Sequence, residues 1–261
     1  MRKLFNMSIA LIVLIGSQLQ MNAQGRAGKE GRGSEYDPMA KPNIVKLNIT
    51  SLAFKNISLQ YERVLGNKIS VACNVRLMPK TSIVFSNSID NASGSDSVNL
   101  GDWKAGSFSL APEFRFYPKH AGKGFYLAPY FRYRNMNVDL PVNYVDDNNK
   151  QQNLTATGKF NTYIGGLMIG SQFNLGPMVT LDWYIIGIQY GVTNGDITLK
   201  TTQTLSANDQ ADIKTTFQDI KDASNAFNDI TYSTNPNGGT IGGKYGMLGF
   251  RGFGLNLGFK F

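Results

Sequence analysis

From Asn43 to the C-terminus, apolar and polar residues alternate along most of the chain. A period of two marks strands with one apolar and one polar face. The first such stretch is about Asn43 to Leu52, with Val45, Leu47 and Ile49 opposed to Lys46, Asn48 and Thr50. Others follow at Ile57 to Val64, Ile69 to Leu77, Phe108 to Tyr117, Phe125 to Arg134, the glycine-rich Phe160 to Phe173, and Val179 to Tyr190. The eighth is the terminal "RGFGLNLGFKF", in which Phe253, Leu255, Leu257, Phe259 and Phe261 share one face and the chain stops on an aromatic.

Eight is an even number, and most of the stretches are of the ~9–11 residues that cross a bilayer at a tilt. The connections also alternate. "AFKN", "LGNK", "PKHAGKG" and "NLGPM" are short, whereas 79–106, 137–157 and 192–247 are long and polar. Transmembrane barrels have short turns at one rim and long loops at the other. The pattern predicts an all-β, eight-stranded antiparallel transmembrane β-barrel with long external loops. A soluble, secreted lipocalin-like ligand-binding barrel shares the alternation and stays open as an alternative. In the last long loop, Ile213, Phe217, Ile220 and Phe227 recur near helical spacing, so a short amphipathic α-helix is expected at about 208–228. Its apolar face either packs over the barrel mouth or meets a partner.

The N-terminus changes the picture. "MRKLFNMSIALIVLIGSQLQMNAQ" has the basic start, short apolar run and small residues of a secretory signal peptide, with cleavage expected after Ala23. Three segments result: 1–23 signal peptide, 24–42 flexible leader, and 43–261 outer-membrane β-barrel, which places the protein in the cell outer membrane. The formal charge of +8 falls to +6 without Arg2 and Lys3. The remaining cations are interleaved with acids, and no basic face for nucleic acid is expected. The single cysteine, Cys73, cannot form an internal disulfide, and the single histidine, His120, reads as a turn residue. No nucleophile elbow, H-E-x-x-H or phosphate loop occurs. No enzyme activity, cofactor or metal site is expected.

Threading the alternation through a barrel puts Lys46, Glu62, Arg76, Glu113, Arg115, Arg132, Arg134, Asp182 and Lys260 on the lumen face. An eight-stranded barrel has an interior that side chains just fill, and buried charges must pair. An internal salt-bridge network plugging the lumen is the leading expectation, and a narrow, anion-favouring ion-conducting pore the alternative. Gly252, Gly254 and Gly258 leave space that Arg132 or Arg134 is expected to fill. Outward-facing Tyr61, Phe108, Phe116, Phe125, Phe131, Tyr133, Tyr163, Trp183, Phe253, Phe259 and Phe261 would supply aromatic girdles. The terminal strand should pair with the first, near Lys46 and Asn48, and so remove the sheet edge.

The closing "GLNLGFKF" resembles the terminal strand of Gram-negative outer-membrane proteins. "ISLQYERVLGNKISV", "FRFYP" and "LDWYIIGIQYG" are similar to segments of a Bacteroidota-type family of small OmpA-like barrels, whose members carry a Tyr-Glu-Arg in the second strand, here Tyr61, Glu62 and Arg63. The resemblance covers about 43–261. It implies that the barrel-assembly machinery reads Phe253, Leu255, Leu257, Phe259 and Phe261 as an assembly signal. It implies outer-membrane lipid as surroundings and a structural or surface-interaction role, with 192–247 available to an extracellular partner.

Overall fold

A computed structural model of the chain describes residues 37–82, 103–145, 151–201, 203–223 and 227–261. The expected signal peptide and most of the leader lie outside them. Ten strands form one antiparallel sheet: β1 (Asn43–Asn48), β2 (Ile57–Gly66), β3 (Ile69–Ser82), β4 (Lys104–Phe116), β5 (Gly124–Val145), β6 (Gln151–Asn174), β7 (Val179–Thr201), β8 (Phe227–Asn235), β9 (Gly238–Arg251) and β10 (Gly254–Lys260). Among the described residues two helices accompany them, α1 (Ile49–Leu52) and α2 (Ala207–Ala223). Strands β1 to β7 pair in order, and β10 pairs with both β7 and β1, closing a ring of eight. β9 lies above β10 along the same strand, β7, and β8 pairs with β9 at the sheet edge.

The seam is where the alternation placed it. Lys46 lies opposite Gly258 and Asn48 opposite Asn256. Phe261 exchanges backbone hydrogen bonds with Asn43 at 2.9 and 3.2 Å. The row of partners through Leu47 runs by Leu59, Val75, Leu110, Tyr133, Tyr163 and Val192 to Gly246. Leu47 also faces Leu257, so the row returns to the eighth position eleven residues from its start. With ~3.3 Å per residue and ~4.8 Å between strands, that stagger tilts the strands by roughly 45°.

The alternation resolves into faces in an unusual sense. Val45, Leu47, Leu59, Val71, Leu110, Phe114, Leu127 and Phe131 point outward and are exposed, whereas Lys46, Gln60, Glu62, Glu113, Arg115 and Asp182 point into the ring and are buried.

Several expected boundaries need correction. β1 ends at Asn48 instead of Leu52, because the Asn48 side chain accepts the Ser51 amide at 2.7 Å and caps α1. The stretches 137–157 and 192–247 are largely strand, not loop. β5 reaches Val145, β6 begins at Gln151, β7 reaches Thr201, and β8 and β9 occupy 227–251. α2 ends at Ala223, so Phe227 belongs to β8.

The cause is a reversal of the faces partway along the strands. On β5, Phe131 and Tyr133 point out and Arg132 and Arg134 in, but beyond them Asn135, Asn137 and Asp139 point out and Val138 and Leu140 are buried inside. On β6, Tyr163 and Leu167 are exposed while Ala156, further on, is buried on the inner face. On β7, Ile188, Tyr190 and Val192 are exposed while Leu199 is buried inside. The reversal therefore falls at one level on three neighbouring strands. Above it, Val138, Leu140, Ala156, Leu199 and Ile241 form a second apolar core with Trp103, and α2 closes it with Phe217 and Ile213. A capping box starts that helix. The Asp209 amide bonds the Ser206 hydroxyl at 3.1 Å, and the Ser206 amide bonds the Asp209 carboxylate at 3.1 Å.

Candidate functional site

The buried charges meet in the lower half of the ring, where seven strands contribute. Lys46 on β1 donates to Glu62 on β2, to Asp182 on β7 at 2.6 Å and to Gln172 on β6 at 2.9 Å. Its three protons are thereby used. Arg115 on β4 reaches Asp182 at 2.7 Å, Glu62 at 3.2 Å, Glu113 at 2.9 Å and Gln60 at 3.0 Å. Its guanidinium also stacks on the Tyr126 ring, 4.5 Å from the centroid.

Every carboxylate oxygen in this group is engaged. Glu62 takes Lys46 and Arg115 on Oε2, and the Ser70 and Tyr117 hydroxyls on Oε1. Asp182 takes Lys46 and Arg115 on Oδ2 and Tyr126 on Oδ1 at 2.8 Å. Glu113 takes Gln60 and Arg115 on Oε2 and Arg251 on Oε1 at 3.1 Å. Lys46, Arg115, Glu62, Glu113 and Asp182 are sealed from solvent. Two cations and three carboxylates cross-brace opposite walls, with Arg251 as a third cation from above. Tyrosines fill the rest. The rings of Tyr126, Tyr130 and Tyr184 lie where a Cβ on Gly170, Gly166 or Gly254 would stand, 2.4, 2.6 and 2.0 Å away.

The structure brings together five of the nine residues expected to line the interior. Lys260 sits at the terminal end, where its ammonium donates to Asn174 and to the Gly122 carbonyl. Arg76, Arg132 and Arg134 face the interior on the other side of the braced group. Arg132 lies 5.4 Å from the Tyr130 centroid. Among the described residues, no carboxylate is within ion-pair distance of these three. The space beside Gly254 and Gly258 goes to Tyr184 and to Thr180 and Lys46, not to Arg132 or Arg134.

Arg251, Gln60, Gln172, Tyr117 and Tyr126 complete the group and were not among the expected residues. Arg251 shares the odd parity of Phe253 and Leu255, so simple alternation sends it outward. A bulge decides otherwise. Ile169 pairs with Ile186 but Gly170 with Tyr184, leaving Ile185 over. The inward parity of β7 changes there, and that of the eighth position changes with it at Gly252–Phe253. The legible signal was the doublet Ile185–Ile186, which breaks the alternation.

Fold and site together define a closed ring of eight antiparallel strands with an ion-paired interior and a separate apolar core at one end. Residues 11–210 match the family described as protein of unknown function (DUF3575), and the chain belongs to that family. The match ends within α2, before the strands that close the ring. No curated protein and no solved structure matches the chain.

Proposed function

We propose that the protein is an outer-membrane β-barrel with a structural or surface-recognition role, its lumen plugged by the buried ion pairs. The observation that carries this reading is the inverted polarity of the wall together with its reversal at one level. A soluble barrel for apolar ligands needs an apolar interior and a polar exterior. Here the exterior is an apolar belt and the interior holds charges. The belt runs from Phe108 to Phe116 on β4 and from Tyr163 to Phe173 on β6. At a tilt of roughly 45°, such lengths cover the ~25 Å height of an outer-membrane apolar band. Beyond the belt the faces take the ordinary soluble sense, polar out and apolar in. Among the described residues no helix is long and apolar enough to cross a membrane; on this reading the strands of the belt make the crossing. An N-terminus with the pattern of a signal peptide fits this placement, and on this reading the upper ends of β5 to β7 with β8, β9 and α2 form the external face open to a partner.

The two tryptophans test it. Trp183 points outward within the belt, and Trp103 is buried in the upper core. The chain without its signal peptide, refolded into vesicles of brominated phospholipid, should show strong quenching in W103F, which keeps Trp183, and weak quenching in W183F. The refolded protein should also run faster unboiled than boiled on a gel. Quenching absent from both variants, with detergent-free solubility, would sink the reading.

A further inference from the structure

The wall of the ring is uneven in height. β1 stops at Asn48 and β2 starts at Ile57, so their hairpin is its lowest part. On one side β3 runs on to Ser82, and on the other β9 continues the line of β10 upward. The seam ends at the Asn48–Asn256 pair. Just beyond it, the Leu255 amide donates to the Thr50 hydroxyl at 3.3 Å instead of to a strand. β8 meets β9 only from Tyr245 upward. Among the described residues, Gly246–Arg251 therefore has no strand partner on the side away from β7. Leu248 and Phe250 register this notch, being 78% and 62% exposed. Leu52 and Phe54, from α1 and the turn after it, are exposed at the hairpin top.

Behind the notch, above the braced carboxylates, four arginines converge. Arg76 and Arg134 share one register row through Ser109. Arg132 and Arg251 both lie on the Tyr130 ring, at 5.4 and 4.8 Å. Among the described residues, only Arg251 of the four has a carboxylate, Glu113. The Nε of Arg134 is buried with no hydrogen-bond partner. Three guanidiniums held near one another without a counter-charge are costly, and their forked donors match carboxylate or phosphate oxygens.

We propose that this notch binds an amphiphile with an anionic head, a carboxylate or a phosphate on an acyl chain. The head is held by Arg76, Arg132 and Arg134, and the chain leaves between Leu248 and Phe250 on one side and Leu52 and Phe54 on the other, into the apolar belt. The notch supplies lateral access for the chain, and the arginines supply the charge complement. A water-soluble anion alone would use the arginines and leave the apolar flanks without a role. The proposal rests on the membrane-spanning reading above.

The test is photo-crosslinking of the refolded chain in vesicles with a diazirine-tagged dodecyl phosphate, against a diazirine-tagged dodecyl maltoside. The phosphate probe should label peptides holding Leu52–Phe54 and Leu248–Phe250 at least ~10-fold more than the maltoside does, the factor that ~1.4 kcal/mol of head-group recognition gives. Untagged dodecanoate competing as well as untagged dodecyl phosphate marks either head as accepted; competition by one alone names that head. The triple variant R76Q/R132Q/R134Q should lose the preference, and R134Q alone should weaken it if the triple variant does not refold. Labelling spread evenly around the belt, equal labelling of the notch by both probes, or full competition by inorganic phosphate would each overturn the proposal. Trp183 quenching and the gel shift are read on the same sample. If they hold while notch labelling fails, the amphiphile site falls and the spanning reading stands; if they fail, both fall.

Discussion

Asp182 shows what a single side chain does here. Its carboxylate joins Lys46, Arg115 and Tyr126, which stand on β1, β4 and β5. Making it neutral leaves two buried cations to share Glu62 and Glu113. Breaking one member out of a buried ion-pair group costs about 3–5 kcal/mol. Asp182→Asn should therefore lower the unfolding free energy obtained from a urea titration of the refolded protein by a matching amount. A variant as stable as the parent would mean that the cross-brace contributes nothing net. Gly170 makes the complementary point about volume. A Cβ there would stand 2.4 Å from the Tyr126 ring, with the Trp183 carbonyl 2.8 Å away on the other side. Neither the ring nor the strand can retreat, so Gly170→Ala should destabilise by about 1–3 kcal/mol, checked by the same titration.

Strand by strand, the alternation was legible wherever one face stayed apolar. It failed where the apolar face changed sides, and that explains the strands read too short. On β5 the outward apolar series ends at Tyr133 and the inward series begins at Met136. A reader following odd positions meets polar residues and stops. A similar phase change, made by the unpaired Ile185, hid Arg251 from the interior set. Deleting Ile185 should restore simple alternation through β7 and put its upper half out of phase with β9, driving Arg251 toward the apolar outer face. The expected outcome is loss of the fast-migrating unboiled form on a gel. α2 is legible because Ile213 and Phe217 keep helical spacing, and its apolar face packs over the end of the ring, the first of the two expectations for it. The strands that receive it are not legible, because their outward face is polar. Phe217 is buried in the upper core, and its ring meets Tyr232 edge-on at 6.1 Å. Phe217→Ala should cost that core about 3–5 kcal/mol. Hydrogen exchange should then rise across 207–223 while β1 to β4 keep their protection. Equal loss of protection everywhere would mean that the two cores unfold as one.

Taken as one object, the molecule has a braced lower ring, an arginine-lined level above it and an apolar cap. Among the described residues, seven interior cations (Lys46, Arg76, Arg115, Arg132, Arg134, Arg251 and Lys260) stand against three interior carboxylates. That excess favours anions if the lumen conducts, which keeps the narrow pore as a second reading. The group around Asp182 is fully buried with its carboxylate oxygens on donors, so on the plugged reading planar bilayers holding the refolded chain should stay silent. Steady anion-selective steps would favour the pore. The chain end belongs to this scale as well. Phe261 is exposed on the outer face and bonds Asn43 through its backbone. On the proposed outer-membrane reading, with this strand as the assembly signal that the resemblance implies, Phe261→Asp should sharply reduce membrane insertion in cells while the purified variant still refolds in detergent. Insertion equal to the parent's would count against that reading.

Period-two alternation is a local property, and the order of residues alone settles it. It told which side chains share a face and that the last strand joins the first. It could not say which face is inside, because a soluble barrel and a membrane barrel alternate alike. Closure decided that. Eight strands enclose a narrow space, and the side chains found there fit as a set, with tyrosine rings against glycines and each carboxylate oxygen on a donor. The bulge at Ile185, the level at which the faces reverse and the notch above the β1–β2 hairpin arise from pairing between distant strands. The doublet Ile185–Ile186 and the switch from Tyr133 to Met136 are written within single strands. That the first is a bulge, that the second falls at one level on three strands, and that a gap stands beside them is decided only by pairing across the ring.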